Sequence, residues 1–244
     1  MGIGRYEHHG IQVWAYTIVR NEERLIGAWC DHYGAFCARL TVFDDESDDA
    51  TVRLAAEHGA RVRRYPGSGL DDEAMVALAN DVVQGARGRG QDGADYVIWS
   101  DADEFIYWPG GVAPRLAQLK QAGVRVPHVW GFEMHGEPFS PNGFRHSIYD
   151  KPMVIDPWLK LEWQVGRHAV KVDGKQLSWL EHAPVDLAML HYRNLEPGWV
   201  EERNARNQAR LTANERAKGL GWNEQPEFYQ REHVNVLELL ERAA

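Results

Sequence analysis

The chain has 244 residues, of which 44% are hydrophobic and 11% aromatic, with 27 Lys and Arg against 36 Asp and Glu and a formal net charge of −9. Those shares are ample for a packed core and exclude a disordered chain. The charge argues against a nucleic-acid binder that grips phosphates through a broad basic face, though not against a local basic pocket.

No apolar run reaches the roughly 18 residues of a membrane span, and the opening MGIGRYEHHG has no secretory apolar core. Two cysteines, Cys30 and Cys37, are too few for a disulfide scaffold and read as buried thiols. These features point to an acidic, cytoplasmic protein.

The β-branched and aromatic run Ile11 to Val19 predicts a buried strand that ends in Arg20-Asn21-Glu22-Glu23. A helix to about Gly34 follows, with Leu25, Ile26, Trp29 and Tyr33 on one face. Leu40 to Phe43 predicts a second strand running into Asp44-Asp45-Glu46-Ser47-Asp48-Asp49. Asp49 or Ser47 suits the cap of the next helix, which Gly59 closes. Arg61 to Tyr65 predicts a third strand, and 71–87 a helix opened by acids. Tyr96 to Trp99 is a fourth strand, and it leads directly into Ser100-Asp101-Ala102-Asp103-Glu104.

Strands alternating with helices imply right-handed crossovers and a mostly parallel, Rossmann-like α/β sheet flanked by helices. Ligands of such sheets sit beyond the carboxyl ends of the strands, where the polar clusters after the first, second and fourth strands fall. Past Pro109 short strands are expected at Val124 to Met134, Pro152 to Ile155 and His168 to Val172. Polar helices are expected at 197–218 and 227–243. With no linker dividing the halves, 1–244 reads as a single domain: 11–109 with the alternating pattern, 110–195 an irregular half elaborating the first sheet, and 196–244 a C-terminal helical extension.

Asp101 and Asp103 place two carboxylates on one side of an extended segment. Such a pair suits a hard divalent cation, Mg²⁺ or Mn²⁺, that keeps positions for phosphate oxygens. A bare D-x-D can equally be a capped turn; its place after an apolar strand favours the site. No GxxxxGK[ST] loop occurs, and no cysteine–histidine set has zinc spacing.

Val19-Arg20-Asn21-Glu22, Trp29, His32, Val42-Phe43-Asp44 with Ser47, Asp49 and Thr51, and Trp99-Ser100-Asp101-Ala102-Asp103-Glu104-Phe105 together resemble the family 2-type glycosyltransferases of the glycosyltransferase-A fold. The similarity is to the branch with an "RNE" first motif and a D-x-D-E-F metal motif, and it extends loosely to Lys151-Pro152 and His191-Tyr192-Arg193-Asn194.

The resemblance implies that Thr17, Val19, Asn21 and Glu22 line the base and ribose of a nucleotide sugar. It also implies that Asp44 accepts from the base, that Asp101 faces the ribose or metal, and that Asp103 ligates the metal. His191 would be a third metal or diphosphate contact, and Lys151 or Arg193 would hold phosphate. An acidic pair serving as general base is not found where many members place it. Glu133, His135 and Asp150 are the candidates for taking the acceptor proton. Of the tryptophans, Trp130, Trp158, Trp163 and Trp179 are divided between core and sugar platform.

The expected activity is metal-dependent transfer of a sugar from a nucleoside diphosphate to a hydroxyl acceptor, a small soluble molecule. Two alternatives stand beside it. One is a sugar nucleotidyltransferase, against which the first strand lacks a glycine-rich loop. The other is a non-catalytic carbohydrate-binding protein. Loss of transfer in Asp103→Ala with folding intact is the corresponding expectation, and assembly of copies through the C-terminal helices is a further one.

Overall fold

The computed structural model describes residues 10–67, 69–88, 92–164, 169–177, 185–213, 216 and 233–243. The first part alternates β1 (Val13–Val19), α1 (Ile26–Gly34), β2 (Arg39–Asp44), α2 (Thr51–Glu57), β3 (Arg61–Arg64), α3 (Asp72–Gly85) and β4 (Tyr96–Trp99). β1 pairs in parallel with β2 and β4, and β2 with β3.

The strand β1 is apolar along its length because both its faces are covered. Val13, Ala15 and Val19 join one core with Trp29 and Tyr33 of α1, whereas Trp14 and Tyr16 join a second core with Ala79 and Val83 of α3. Asp71 caps α3, accepting from the Ala74 backbone N–H at 3.0 Å. Asp49 receives the Thr51 N–H at 2.8 Å at the start of α2. The expected α/β architecture, with its parallel sheet flanked by helices, is present. Cys30 and Cys37 are buried free thiols.

The second part continues with β5 (Glu104–Tyr107), α4 (Val112–Gln121), β6 (Val129–His135), β7 (Asn142–Arg145), β8 (Val154–Ile155), β9 (Leu161–Trp163), β10 (Val170–Val172), β11 (Lys175–Leu177), β12 (Leu187–Asn194), α5 (Pro197–Arg210), β13 (Val234–Asn235) and α6 (Val236–Ala243). It departs from the sequence-based expectation in two ways. Among the described residues of this part, β8 alone extends the first sheet, as an antiparallel edge beside β4. A second five-stranded sheet, ordered β13-β7-β6-β12-β5, is built instead, and β9, β10 and β11 form a third.

The second difference is α4, which the sequence pattern did not predict. Pro114 sits in its first turn, where a missing N–H breaks no intrahelical bond, so the proline marks a helix start and not a loop. The helix expected to run from 197 to 218 is interrupted after Arg210, where Leu211 turns extended and pairs with Leu70, and within the expected 227–243 helix Val234–Asn235 is a strand that precedes the helix Val236–Ala243. The strand expected at His168 to Val172 is present as β10 over Val170–Val172, and His168 itself lies outside the described residues.

Helix α1 braces the segment that carries the paired aspartates. The Trp29 indole N–H donates to Ser100 Oγ at 2.9 Å. The Tyr33 hydroxyl donates to the Glu104 carbonyl at 2.9 Å and accepts from the Ile106 N–H at 3.2 Å. His32 Nε2 meets the Ile106 carbonyl at 2.8 Å, its ring packed against Phe36 and Phe105. Three side chains spaced along one helix face thus hold 100–106, Tyr33 and His32 by its backbone and Trp29 by the Ser100 hydroxyl.

Burial pushes the His32 imidazole down to about 4, against the pull of its bond to Ile106. Between that value and the ordinary 6.5 the unfolded chain binds a proton that the folded chain refuses. Its contribution is therefore complete above about pH 6.5 and is lost as pH falls through about 4. The loss amounts to about 2 kcal/mol, discounted for the part of the ring that meets solvent. Urea unfolding at pH 7 and near pH 4 is expected to show a smaller decline for His32→Gln than for the parent. Parallel declines would sink this assignment.

Candidate functional site

At the carboxyl edge of the parallel sheet lies a cavity of about 100 Å³. Ile18, Val19, Arg20 and Glu22 line it from the end of β1, and Asp101, Ala102 and Asp103 from the end of β4. His191 and Arg193 enter from β12, and Arg203, Asn204, Asn207 and Arg210 from α5. A second cavity, of about 300 Å³, opens on the other face of the sheet among Trp14, Tyr16, Arg39, Arg61 and Arg63. Among the described residues that line it, Asp81 is the single carboxylate.

Topology explains why His191 meets the aspartates. β12 runs antiparallel to β5, with His191 opposite Glu104, and parallel to β6, with His191 opposite Glu133. The Tyr192 N–H donates to the Asp103 carbonyl at 2.7 Å. His191 is left between two carboxylates, with Nε2 3.3 Å from Asp103 Oδ2 and Nδ1 3.2 Å from Glu133 Oε2. Burial opposes its charge, but Asp103 and Glu133 together raise the imidazole to about 10.

Asp103 is 2% exposed. Burial alone would raise its carboxyl; Arg203 and His191 outweigh that and hold it well below the ordinary range. Arg203 bridges Asp103 Oδ2 and Glu22 Oε1, the latter at 3.1 Å. Arg206 Nη2 stands 3.6 Å from Glu22 Oε1, and Arg210 pairs with the buried Asp45. Burial pushes the Glu22 carboxyl up, against Arg203. Among the described residues, Asp103 Oδ1 and Glu22 Oε2 are buried without a hydrogen-bond partner.

Of the residues that the sequence singled out, Val19, Glu22, Asp101, Asp103, His191 and Arg193 line this cavity. The others lie elsewhere. Thr17 is wholly buried within the sheet. Asn21 adopts φ 53°, a left-handed conformation that asparagine tolerates. It clips the loop after β1 to the acidic turn, its N–H donating to Ser47 Oγ at 3.0 Å and its Oδ1 accepting from the Asp48 N–H at 2.9 Å. Thr51 Oγ1 accepts the Glu22 N–H at 2.7 Å. Asp44 receives the Ser47 N–H at 3.2 Å, within its own turn.

Lys151 sits behind the aspartates and not on the cavity wall, paired with buried Glu104 and 3.7 Å from Asp101 Oδ2. Among the candidate bases, Glu133 backs His191. Asp150 has both oxygens engaged, by the Gly131 N–H at 2.8 Å and by Arg145 at 2.6 Å. His135 stacks 4.1 Å from His233, and burial lowers it. None of these three lines the cavity. Trp163 is core, its indole N–H donating to the Pro152 carbonyl. Trp130 lies beneath Arg145, Trp158 is exposed, and Trp179 is outside the described residues.

Sequence reading missed the arginines of α5. Their spacing at 203, 206 and 210 puts them on one helix face, a signal visible in the sequence, but nothing local said which surface that face would meet.

Among the described residues no group of three or more His, Cys, Asp and Glu side chains is arranged to hold a metal alone. The oxygens of Asp101 and Asp103 nevertheless fit a hard cation of the kind bound by one or two carboxylates, with phosphate oxygens and water completing the shell. The unpartnered Asp103 Oδ1 is the atom that would meet it. His191, with both ring nitrogens turned to carboxylates, stands here as a cationic partner of Asp103. Among the described residues no helix is long and apolar enough to cross a membrane.

No family model matches the chain, and no curated protein matches it. Among solved structures it is similar to glucosyl-3-phosphoglycerate synthase from Mycobacterium tuberculosis, determined with Mn²⁺, uridine diphosphate and glucosyl-3-phosphoglycerate. The identity is 21%, over 52% of this chain and 46% of that one, with a TM-score of 0.36. It is similar also to mannosyl-3-phosphoglycerate synthase from Rubrobacter xylanophilus, at 23% identity over 54% of this chain and 42% of that one, with a TM-score of 0.35. The match takes in less than half the length of either solved chain.

Proposed function

We propose that this chain is a glycosyltransferase of the glycosyltransferase-A type, moving a sugar from a nucleoside diphosphate to a hydroxyl acceptor with the help of a divalent cation. The observation that carries the reading is one cavity at the carboxyl edge of a parallel sheet, where the paired aspartates after β4 and Glu22 after β1 meet four lining arginines. A diphosphate needs both kinds of group: carboxylates for the cation that bridges its oxygens, and guanidinium forks for the oxygens themselves.

In this reading Asp101 and Asp103 hold Mn²⁺ or Mg²⁺, which when bound neutralises charge gathering on the departing diphosphate. Arg193 reaches the phosphates from β12, its guanidinium steadied by Asn204 Oδ1 at 3.0 Å. Glu133 keeps His191 charged and aimed at Asp103. The "RNE" segment acts mostly as a clasp, joining the loop after β1 to the turn after β2 so that Glu22 alone of Asn21 and Glu22 faces the cavity.

Thermal unfolding with UDP, GDP, TDP and CMP, each with Mn²⁺ or EDTA, tests the reading. A ligand of the folded state at a hundred times its dissociation constant adds about 2.7 kcal/mol. For a chain of this length that is a rise of about 5–10 °C. One nucleotide is expected to produce it with Mn²⁺ and lose it in EDTA. No shift with any nucleotide would remove the transferase reading and leave Asp101 and Asp103 as turn acids.

A further inference from the structure

Arg203 occupies an unusual place for a cation that a metal site has to accommodate. Its guanidinium spans the carboxylate after β1 and the buried carboxylate after β4, holding one oxygen of each. The second oxygen of each, Glu22 Oε2 and Asp103 Oδ1, is buried with no hydrogen-bond partner among the described residues. Beside it Arg206 leaves Nε and Nη2 likewise without hydrogen bonds there, though Nη2 is within ion-pair range of Glu22. Helix α5, which carries both, is anchored by the buried Trp199 and Val200. The cavity it closes, about 100 Å³, is below the roughly 300 Å³ at which small-molecule pockets begin. Arg203 and Arg210 stand on its wall, so a nucleotide that enters meets their guanidinium groups.

We propose that Arg203 is an exchangeable counter-cation of the Glu22–Asp103 pair, so that a divalent metal and a nucleoside diphosphate enter the cavity cooperatively. The inference rests on the metal–diphosphate reading given above. A metal arriving alone at Asp103 meets a carboxylate already neutralised, and displacing Arg203 leaves a buried guanidinium short of an anion, a costly state. A diphosphate removes that obstacle: its oxygens give Arg203, which lines the cavity, a new charge-assisted partner as the metal takes the carboxylate. Each ligand then raises the affinity of the other by the same factor.

The test is titration of the nucleotide-free chain with Mn²⁺, free metal being read by electron paramagnetic resonance. Arg203→Gln is expected to bind Mn²⁺ about tenfold more tightly than the parent, equivalent to about 1.4 kcal/mol. A role confined to structure would lower the unfolding midpoint without tightening metal binding. Unchanged or weaker Mn²⁺ affinity in folded Arg203→Gln overturns the proposal.

If circular dichroism shows that the glutamine variant does not fold, Arg203→Lys takes its place. Its single ammonium cannot span both carboxylates, and a tightening of about threefold is expected; parental affinity overturns the proposal. The transferase reading fails separately, in the nucleotide screen. A parent that responds to nucleotide with Mn²⁺, beside a variant whose affinity for Mn²⁺ alone is unchanged, removes only the role of Arg203.

Discussion

Asp103→Asn is expected to lower sugar transfer by at least about a hundredfold while the chain still folds, because an amide cannot supply the anionic oxygen that a divalent cation requires at the departing diphosphate. Alanine would be the poorer choice. Asp103 is 2% exposed and faces both Arg203 and His191, so truncation leaves two buried cations without their common anion. Breaking a buried pair in that way costs about 3–5 kcal/mol. The expectation of intact folding in Asp103→Ala is therefore replaced by a substantial loss of stability.

In either variant Arg203 keeps Glu22 and His191 keeps Glu133, but asparagine also keeps the shape and one acceptor facing the two cations. The expected cost falls to about 2 kcal/mol. Guanidinium unfolding read beside transfer assays separates the two effects. Parental turnover in the folded asparagine variant would show that Asp103 binds no catalytic metal.

Lys151→Met is expected to destabilise the chain by about 3–5 kcal/mol and to lower its midpoint by about 10 °C. Lys151 and Glu104 are both buried, and the Glu104 carboxylate also receives the Asp101 N–H at 2.9 Å. Burial already pushes the Glu104 carboxyl up, with the Lys151 ammonium as the main opposing influence. Without the lysine, a buried carboxylate stands unpaired directly beneath the aspartate segment.

Lys151→Met combined with Glu104→Gln removes both charges and is expected to recover about half or more of the lost stability, since replacing a buried pair by neutral groups is far cheaper than orphaning one partner. Additive losses in the double variant would mean that the two side chains do not act as a pair. The result also bears on function. It would make Lys151 a support for Asp101 from behind the site, and leave phosphate binding to the arginines in front.

Much of the first sheet was legible because its information is local. The runs at Val13–Val19 and Tyr96–Trp99 are apolar along their length, as strands covered on both faces must be, and Asp71 announced the helix that it caps. The polar segments at the ends of β1 and β4 do flank one cavity, as strand order in a parallel sheet requires. What those segments do was less legible. Asn21 and Thr51 are spent on hydrogen bonds that join the segments after β1 and β2, and Asp44 on its own turn, a division of labour that spacing alone does not distinguish from ligand contacts.

By itself, then, the sequence determined the alternation of strand and helix, the parallel sheet, the place of the carboxylates at its edge and the acidity of the chain. Only the tertiary structure decided what faces those carboxylates. Pairing of β12 with both β5 and β6 sets His191 between Asp103 and Glu133, and docking of α5 brings Arg203 to an aspartate a hundred positions away. The physical reason is range: strand and helix patterns arise from neighbours along the chain, whereas a buried ion pair exists only when distant segments exclude water together.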